Sequence, residues 1–260
     1  MNGTYIGNNK MLVKLAYNAM ITVPADDLSL MPTFVTTGMF EVPLTKYFLS
    51  HIKQGYNIVD VGANVGYFTV LASKLVGNSG KVFAYEADSK TASMLKDNLA
   101  MNWTTENVKV INKAVYSESK LMKFLSSERF IAYSSLHEKP SDENVQDTFT
   151  TKEVEAVALD NELKNIDSID LVKIDIEGGE YHAFLGMMGL LQEQKIKKVT
   201  FEWNPPMLGG DTENFLLLLS EILNSFDGRL YLLNQEGEPV ATTLKEVSNY
   251  EFLPFVLIEF

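Results

Sequence analysis

From Asn57 to Phe226 the chain repeats one pattern: a short apolar run, a turn, then a stretch with helical periodicity. The apolar runs are Ile58–Val61, Lys81–Tyr85, Val108–Ile111, Leu171–Ile174 and Lys198–Phe201. The helical stretches are Phe68–Val76, Lys90–Met101, Tyr181–Leu191 and Thr212–Phe226. Strands that alternate with helices through short connections pair in parallel, because each crossover returns the chain to the same end of the sheet. The pattern therefore predicts an α/β, Rossmann-like fold with helices on both faces. Arg229–Leu233 and Phe255–Phe260 have no helical period between them and are expected as an antiparallel pair at a sheet edge. Upstream, Val42–Ile52 carries apolar residues at 44, 47, 48 and 52, a helical spacing, and Lys10–Met20 reads as a short helix. Residues 1–54 are thus expected as a helical or irregular extension packed on a main domain of residues 55–260. Residues 126–151 are polar, contain Pro140 and have no period, which suits a lid or hairpin insertion on the substrate side. Strands are expected to flank it at Lys120–Leu125 and Lys152–Val157.

Charge and composition narrow the function. Acidic residues outnumber basic ones 34 to 22, the net charge is −12, and the only arginines are Arg129 and Arg229. This balance argues against a nucleic-acid partner, which calls for a basic face, and against an anionic membrane surface. No apolar run approaches the ~20 residues of a bilayer span. Cysteine is absent, which removes disulfides, thiolate metal sites and a Cys nucleophile, and fits a reducing cytoplasm. The partner expected is a small molecule, with a homodimer left open.

The strongest local signal is Asp60-Val-Gly62-Ala-Asn64-Val-Gly66, where the first strand should turn into the first helix. Gly62 lets the chain turn sharply and lets backbone N–H groups approach a ligand, and Asn64 tolerates a positive φ. Glu86 follows Gly66 by twenty residues, at the end of the second strand. A carboxylate there can accept both hydrogen bonds of a ribose diol. The spacing G-x-x-x-G differs from the dinucleotide G-x-G-x-x-G, and Asp60 would repel a pyrophosphate. An acid there suits a cofactor with an ammonium group, such as the methionine end of S-adenosylmethionine, either directly or by holding the loop. An NAD(P)-dependent oxidoreductase and a non-catalytic scaffold of the same fold remain as alternatives.

The runs VDVGANVGYFT, FAYEAD and NLAMN resemble the first motifs of class I methyltransferases, and the FkbM family in particular. LVKIDIEGGEYHAFLGM at Leu171–Met187, TFEWNP at Thr200–Pro205 and GMFEVPLT at Gly38–Thr45 are similar to that family's other signatures. The resemblance implies a seven-stranded sheet, S-adenosylmethionine as cofactor, and methylation of a hydroxyl on a sugar, polyketide, peptide or other natural-product intermediate. It implies a cofactor site made of Glu41, Asp60, Gly62, Asn64, Gly66, Tyr67, Glu86 and Ala87. The adenine is expected after the third strand, at Ala114 and Val115, although a plain core role for these two is equally compatible with the sequence.

A second group, Lys173, Asp175, Glu177, Glu180 and Glu202, falls at the ends of the fourth and fifth core strands. Alternation puts Lys173 and Asp175 on one strand face. Asp175 is the first candidate for substrate orientation or proton acceptance, with Glu202 and His182 behind it. Two or three of these carboxylates could instead hold Mg²⁺ or a similar hard cation, a metal the sequence does not lead us to expect. A third reading has the acids cap the following helix, and for Glu180 that reading leads. His137, Tyr133, Ser134 and Ser135 lie in the insertion and could line the substrate side. Trp203 could stack on a substrate or fill the core.

Overall fold

The structure is a computed structural model that describes residues 2–136 and 148–260. The N-terminal extension departs from the expectation of a helix. Gly3–Tyr5 (β1), Lys10–Lys14 (β2) and Met20–Pro24 (β3) form a three-stranded antiparallel sheet, and only then come two helices, Met31–Thr37 (α1) and Val42–His51 (α2). The segment read as one helix is two strands joined by a turn in which Asn18 takes φ 58°. Strand β3 is tied to the core by Asn98, whose side chain accepts from Thr22 N and Oγ1 and donates to Thr22 O.

The core then alternates as the periodicity predicts: Asn57–Val61 (β4), Tyr67–Val76 (α3), Lys81–Tyr85 (β5), Ser89–Met101 (α4) and Val108–Ile111 (β6). Helix α4 starts where Asp88 accepts from Lys90 N and Thr91 N, a side-chain cap that satisfies otherwise orphaned amides. Next, Ala114–Val115 (β7), Lys120–Ser127 (β8) and Phe149–Val157 (β9) make a second three-stranded sheet, with β8 and β9 antiparallel. The two ends of the expected insertion therefore lie in strands, residues 126–127 in β8 and 149–151 in β9. His137 lies outside the described residues.

After Leu159–Glu162 (α5) comes Leu171–Ile174 (β10), then Glu180–Leu185 (α6) and Met188–Gln192 (α7), two short helices where the sequence suggested one. Lys198–Trp203 (β11), Pro205–Leu208 (α8) and Thr212–Ser225 (α9) follow, and the chain ends with Arg229–Leu233 (β12), Pro239–Ala241 (β13), Leu244–Val247 (α10) and Leu253–Glu259 (β14).

The main sheet has the order β13-β12-β14-β11-β10-β4-β5-β6. Strands β11, β10, β4, β5 and β6 are parallel, and β14 runs antiparallel to both β11 and β12, the edge arrangement expected. The expected seven strands become eight among the described residues, because β13 extends the edge beyond β12. Strand alternation divides the core. Ile58 faces a cluster with Phe48, Phe68 and Leu95 of α2–α4, and Val59 and Val61 face another with Phe184, Leu190 and Phe215 of α6, α7 and α9. The N-terminal extension shares the first cluster through Val13, Ile21, Phe34 and Leu44. The parallel strands deliver their carboxyl ends, and the turns after them, to one rim, where ligand sites of such sheets form.

Candidate functional site

The turn after β4 is shaped by a close approach. Gly62 takes φ +78°, and a Cβ on it would overlap the Asp175 carbonyl that follows β10. Gly66, at φ +94°, sits against Leu95 where a Cβ would also collide. Two neighbouring strand ends and helix α4 thereby close on the loop. Asn64 holds φ 50° between the glycines, and its Oδ1 accepts from Val65 N at 2.8 Å.

Asp60 is buried behind this loop and does not line the cavity above it. Its Oδ2 accepts from Thr69 Oγ1 at 2.6 Å and its Oδ1 lies 3.4 Å from Lys173 Nζ. Asp60 thus meets Thr69 of α3 and Lys173 of β10, and Lys173 in turn reaches the Gly62 carbonyl of the loop. Gly66 likewise supports the loop from outside the cavity wall. The cavity itself is lined by the remaining predicted cofactor residues: Glu41, Gly62, Asn64, Tyr67, Glu86, Ala87, Ala114 and Val115.

Glu86 is the most constrained of them. Its Oε2 accepts from Asn64 N and its Oε1 from Asp88 N, both at 2.8 Å. Burial pushes its carboxyl up to about 7, against the pull of the two amide donors. Each oxygen keeps one further lone pair, and the group borders the cavity, so it can still accept from a vicinal diol.

The second sequence group divides. Asp175, Glu177 and Glu202 line the same cavity, and one carboxylate oxygen of each lies within 4.8 Å of the others. Burial comes first in pushing Glu202 up to about 10, and repulsion from Asp175, Glu177, Glu180 and Glu41 adds to it. Glu202 sits where β11 shifts register against β14, between the buried Phe201 and Trp203. Such bulges re-aim side chains beside functional sites. Its buried Oε2 makes no hydrogen bond among the described residues. Glu180 is fully buried and does not line the cavity; its Oε1 accepts from Ile176 N, a bond that closes the turn after β10 rather than capping α6. Trp203 belongs to the core, with Nε1 donating to Tyr250 O.

His182 stands apart from the cavity. Its ring stacks on Tyr116, and its nitrogens meet Tyr116 Oη at 2.9 Å, Ser117 Oγ at 3.3 Å and Asp211 at 3.3 Å. The geometry does not bring it to Asp175 or Glu202. Of the insertion residues, Ser134 lines the cavity and Ser135 Oγ donates to Glu177 O at 2.9 Å.

Two residues named from the sequence show features that it did not predict. Lys173 is almost fully buried, and its Nζ donates to Gly62 O at 3.2 Å, lies 3.2 Å from Asp175 Oδ2 and faces Asp60. Burial works against its charge, but Asp175, Asp60 and Glu41 outweigh that and hold its pKa above the ordinary lysine value. The signal was present as a lone cation in an acidic run, yet its partner Asp60 is 113 residues away. The second feature is the backbone of Glu41, which is held at φ 42°, ψ 64°. Phe40 N donates to Tyr67 Oη, and Thr45 Oγ1 donates to Phe40 O, fixing the turn before α2. Burial, then the charge of Asp175, raises Glu41 to about 8.

These residues fit S-adenosylmethionine: an acid with spare acceptor capacity for a ribose, a loop without side-chain bulk at Gly62, and carboxylates for the positive sulfonium and ammonium.

Comparison with known proteins agrees in class. The Methyltransferase FkbM domain family matches residues 60–232, more than half of the chain. The chain is 32% identical over 78 residues to a probable cobalt-precorrin-6B C(15)-methyltransferase (decarboxylating) of Saccharolobus solfataricus, covering 27% of this chain and 39% of that protein. It is 38% identical over 72 residues to the ribosomal protein L11 methyltransferase of Streptococcus equi subsp. zooepidemicus, covering 26% of this chain and 22% of that protein. The chain thus spans well under half the length of these curated relatives. Among solved structures, the O-methyltransferase TomG of Streptomyces achromogenes, in complex with its cofactor, superposes with a TM-score of 0.47 at 12% identity, over 90% of this chain and 87% of that one. No described helix is long and apolar enough to cross a membrane. The chain belongs to the FkbM methyltransferase family.

Proposed function

We propose that the protein transfers a methyl group from S-adenosylmethionine to a hydroxyl oxygen of a small molecule, a sugar, polyketide, peptide or related natural-product intermediate. The observation that carries this reading is the carboxylate of Asp175, anchored 3.2 Å from Lys173 and lining the same cavity as Gly62 and Glu86. A hydroxyl acceptor must lose a proton as its oxygen attacks, and a carboxylate fixed beside the loop can receive it.

When bound, S-adenosylmethionine supplies an electrophilic methyl group on its sulfonium and departs as the neutral thioether. Glu86 would accept from the ribose hydroxyls, Asn64 and Gly62 would present backbone to the methionine portion, and Ala114 and Val115 would border the adenine. Lys173 keeps Asp175 oriented and tied to the Gly62 carbonyl. Glu202, raised first by burial and then by its acidic neighbours, holds a proton at neutral pH and can donate a hydrogen bond to the acceptor molecule. In-line transfer draws most of its rate from positioning, with the base assisting.

Incubation with S-adenosylmethionine and hydroxylated sugars, polyketides and peptides, followed by mass spectrometry, tests the reading. A gain of one methylene that is lost when the hydroxyl is blocked supports it; methylation confined to amines overturns the choice of oxygen. Asp175, Glu177 and Glu202 are also close enough to share a cation. Activity that survives EDTA speaks against that arrangement.

A further inference from the structure

Two segments a hundred residues apart meet over the cavity. On one side, the turn before α1 contributes Leu30, and α1 itself contributes Phe34; they are 4% and 0% exposed. On the other, the segment after β8 contributes Ile131 and Ala132. Both pairs line the cavity, so the roof is made of pieces from outside the glycine loop and the acidic rim. The N-terminal pieces also lie outside the residues matched by the family.

The roof is joined by one buried acid and one hydroxyl. Asp27 is fully buried, and no lysine or arginine pairs with it among the described residues. Five donors surround it instead. Oδ2 accepts from Leu30 N at 2.7 Å and Met31 N at 2.9 Å, which starts α1. Oδ1 accepts from Ser29 Oγ at 2.7 Å, from Ser29 N at 3.3 Å and, across the gap, from Ile131 N at 3.2 Å. Ser29 Oγ in turn accepts from Ala132 N at 3.2 Å. Leu28 N donates to Arg129 O at 2.7 Å beside them. A buried carboxylate is costly unless its lone pairs are filled. Here the filling includes an amide of the opposite segment, so the cost is met in full only while the two sides touch.

We propose that Asp27 and Ser29 are positioning residues that clasp the N-terminal segment to residues 129–132 beside the cofactor cavity, and that this clasp slows cofactor exchange. Leu30 and Phe34 are buried beneath this contact and Ile131 and Ala132 partly so, and parting the two segments would widen the mouth of the cavity. The crossing hydrogen bonds are the polar part of that contact. The inference rests on the cavity being the S-adenosylmethionine site.

The test is the release rate of S-adenosylhomocysteine, followed by stopped-flow displacement, with KM and kcat measured on any accepted substrate. Ser29→Ala removes the bond to Ala132 and leaves the amides of α1 capped by Asp27. Release is expected to quicken about five-fold, with KM for S-adenosylmethionine rising and kcat not falling. Asp27→Asn, which sets an amide N–H against the N–H donors, is expected to do more. Unchanged release and KM in a folded Ser29→Ala variant overturns the clasp, even if its unfolding midpoint drops, since that is what a purely structural role would give. If Asp27→Asn does not fold, Ser29→Ala decides alone. Failure of the wild-type protein to bind S-adenosylhomocysteine would overturn the underlying site instead, a result distinguishable from unchanged release.

Discussion

Lys173 stands directly across the β10–β4 pairing from Asp60, and its ammonium lies 3.4 Å from the Asp60 carboxylate, both side chains buried. The pair joins the two central strands at the point where the glycine loop leaves the sheet. Because Lys173 also reaches Asp175 and the Gly62 carbonyl, one cation holds the loop, the candidate base and the loop's buried support in a fixed relation.

Lys173→Met removes that cation and leaves buried carboxylates without their partner. Breaking a buried pair in this way costs about 3–5 kcal/mol. Urea unfolding of the variant should show a loss of that order together with weakened S-adenosylhomocysteine binding. Wild-type stability would mean the cluster is solvated enough to do without its lysine.

Glu86→Gln keeps the size of the side chain but offers one acceptor oxygen where Asn64 N and Asp88 N each use one. One amide then faces an NH₂ group, and the ribose loses an ionised acceptor. A loss of about 1.5–3 kcal/mol follows, roughly 10- to 150-fold in the dissociation constant. Calorimetry measures it directly, and an unchanged affinity removes Glu86 from the ribose.

The raised carboxyls predict how stability varies with pH. Burial lifts Glu86 and Glu180 to about 7 and Glu41 to about 8, from an ordinary value of 4.5. The folded state therefore binds more protons than the unfolded state between those values, and stability falls as pH rises. This contribution is complete below about pH 4.5 and is lost as pH passes through about 7 to 8. Urea midpoints of the ligand-free protein should decline from about pH 6 to about pH 8.5, and Glu41→Gln should flatten the decline. Midpoints that rise over that range would contradict the burial of these acids.

His182→Ala separates the candidate bases. The ring is engaged by Tyr116, Ser117 and Asp211, away from the cavity, so methyl transfer should stay within about three-fold of wild type. Asp175→Asn should cost about 10²-fold or more in kcat. The reverse ranking would move the proton acceptor to His182.

The core alternation was legible because short apolar runs, buried on both faces as parallel strands are, alternate with longer stretches of helical period. The N-terminal sheet was not. Strands as short as Lys10–Lys14 and Met20–Pro24 carry too few residues to separate period 2 from a helical period, and their pairing is settled by tertiary partners such as Asn98. Pro239–Ala241 is shorter still and becomes a strand only by lying beside β12. In the site, Gly62 and Glu86 could be read because a turn and a strand end announce them locally. The Lys173–Asp60 pairing, the bulge that carries Glu202 and the Asp27 clasp depend on register between distant segments, which no local pattern encodes. His182 looked close to the acidic cluster only because it is close in sequence; the turn of α6 carries it toward Tyr116 instead.

Titration calorimetry of the wild-type protein with S-adenosylhomocysteine, with NAD as the control, tests the central claim most directly. The account predicts one site per chain for S-adenosylhomocysteine, weakened by Glu86→Gln, and no binding of NAD. Binding of NAD alone, or of neither, would contradict it.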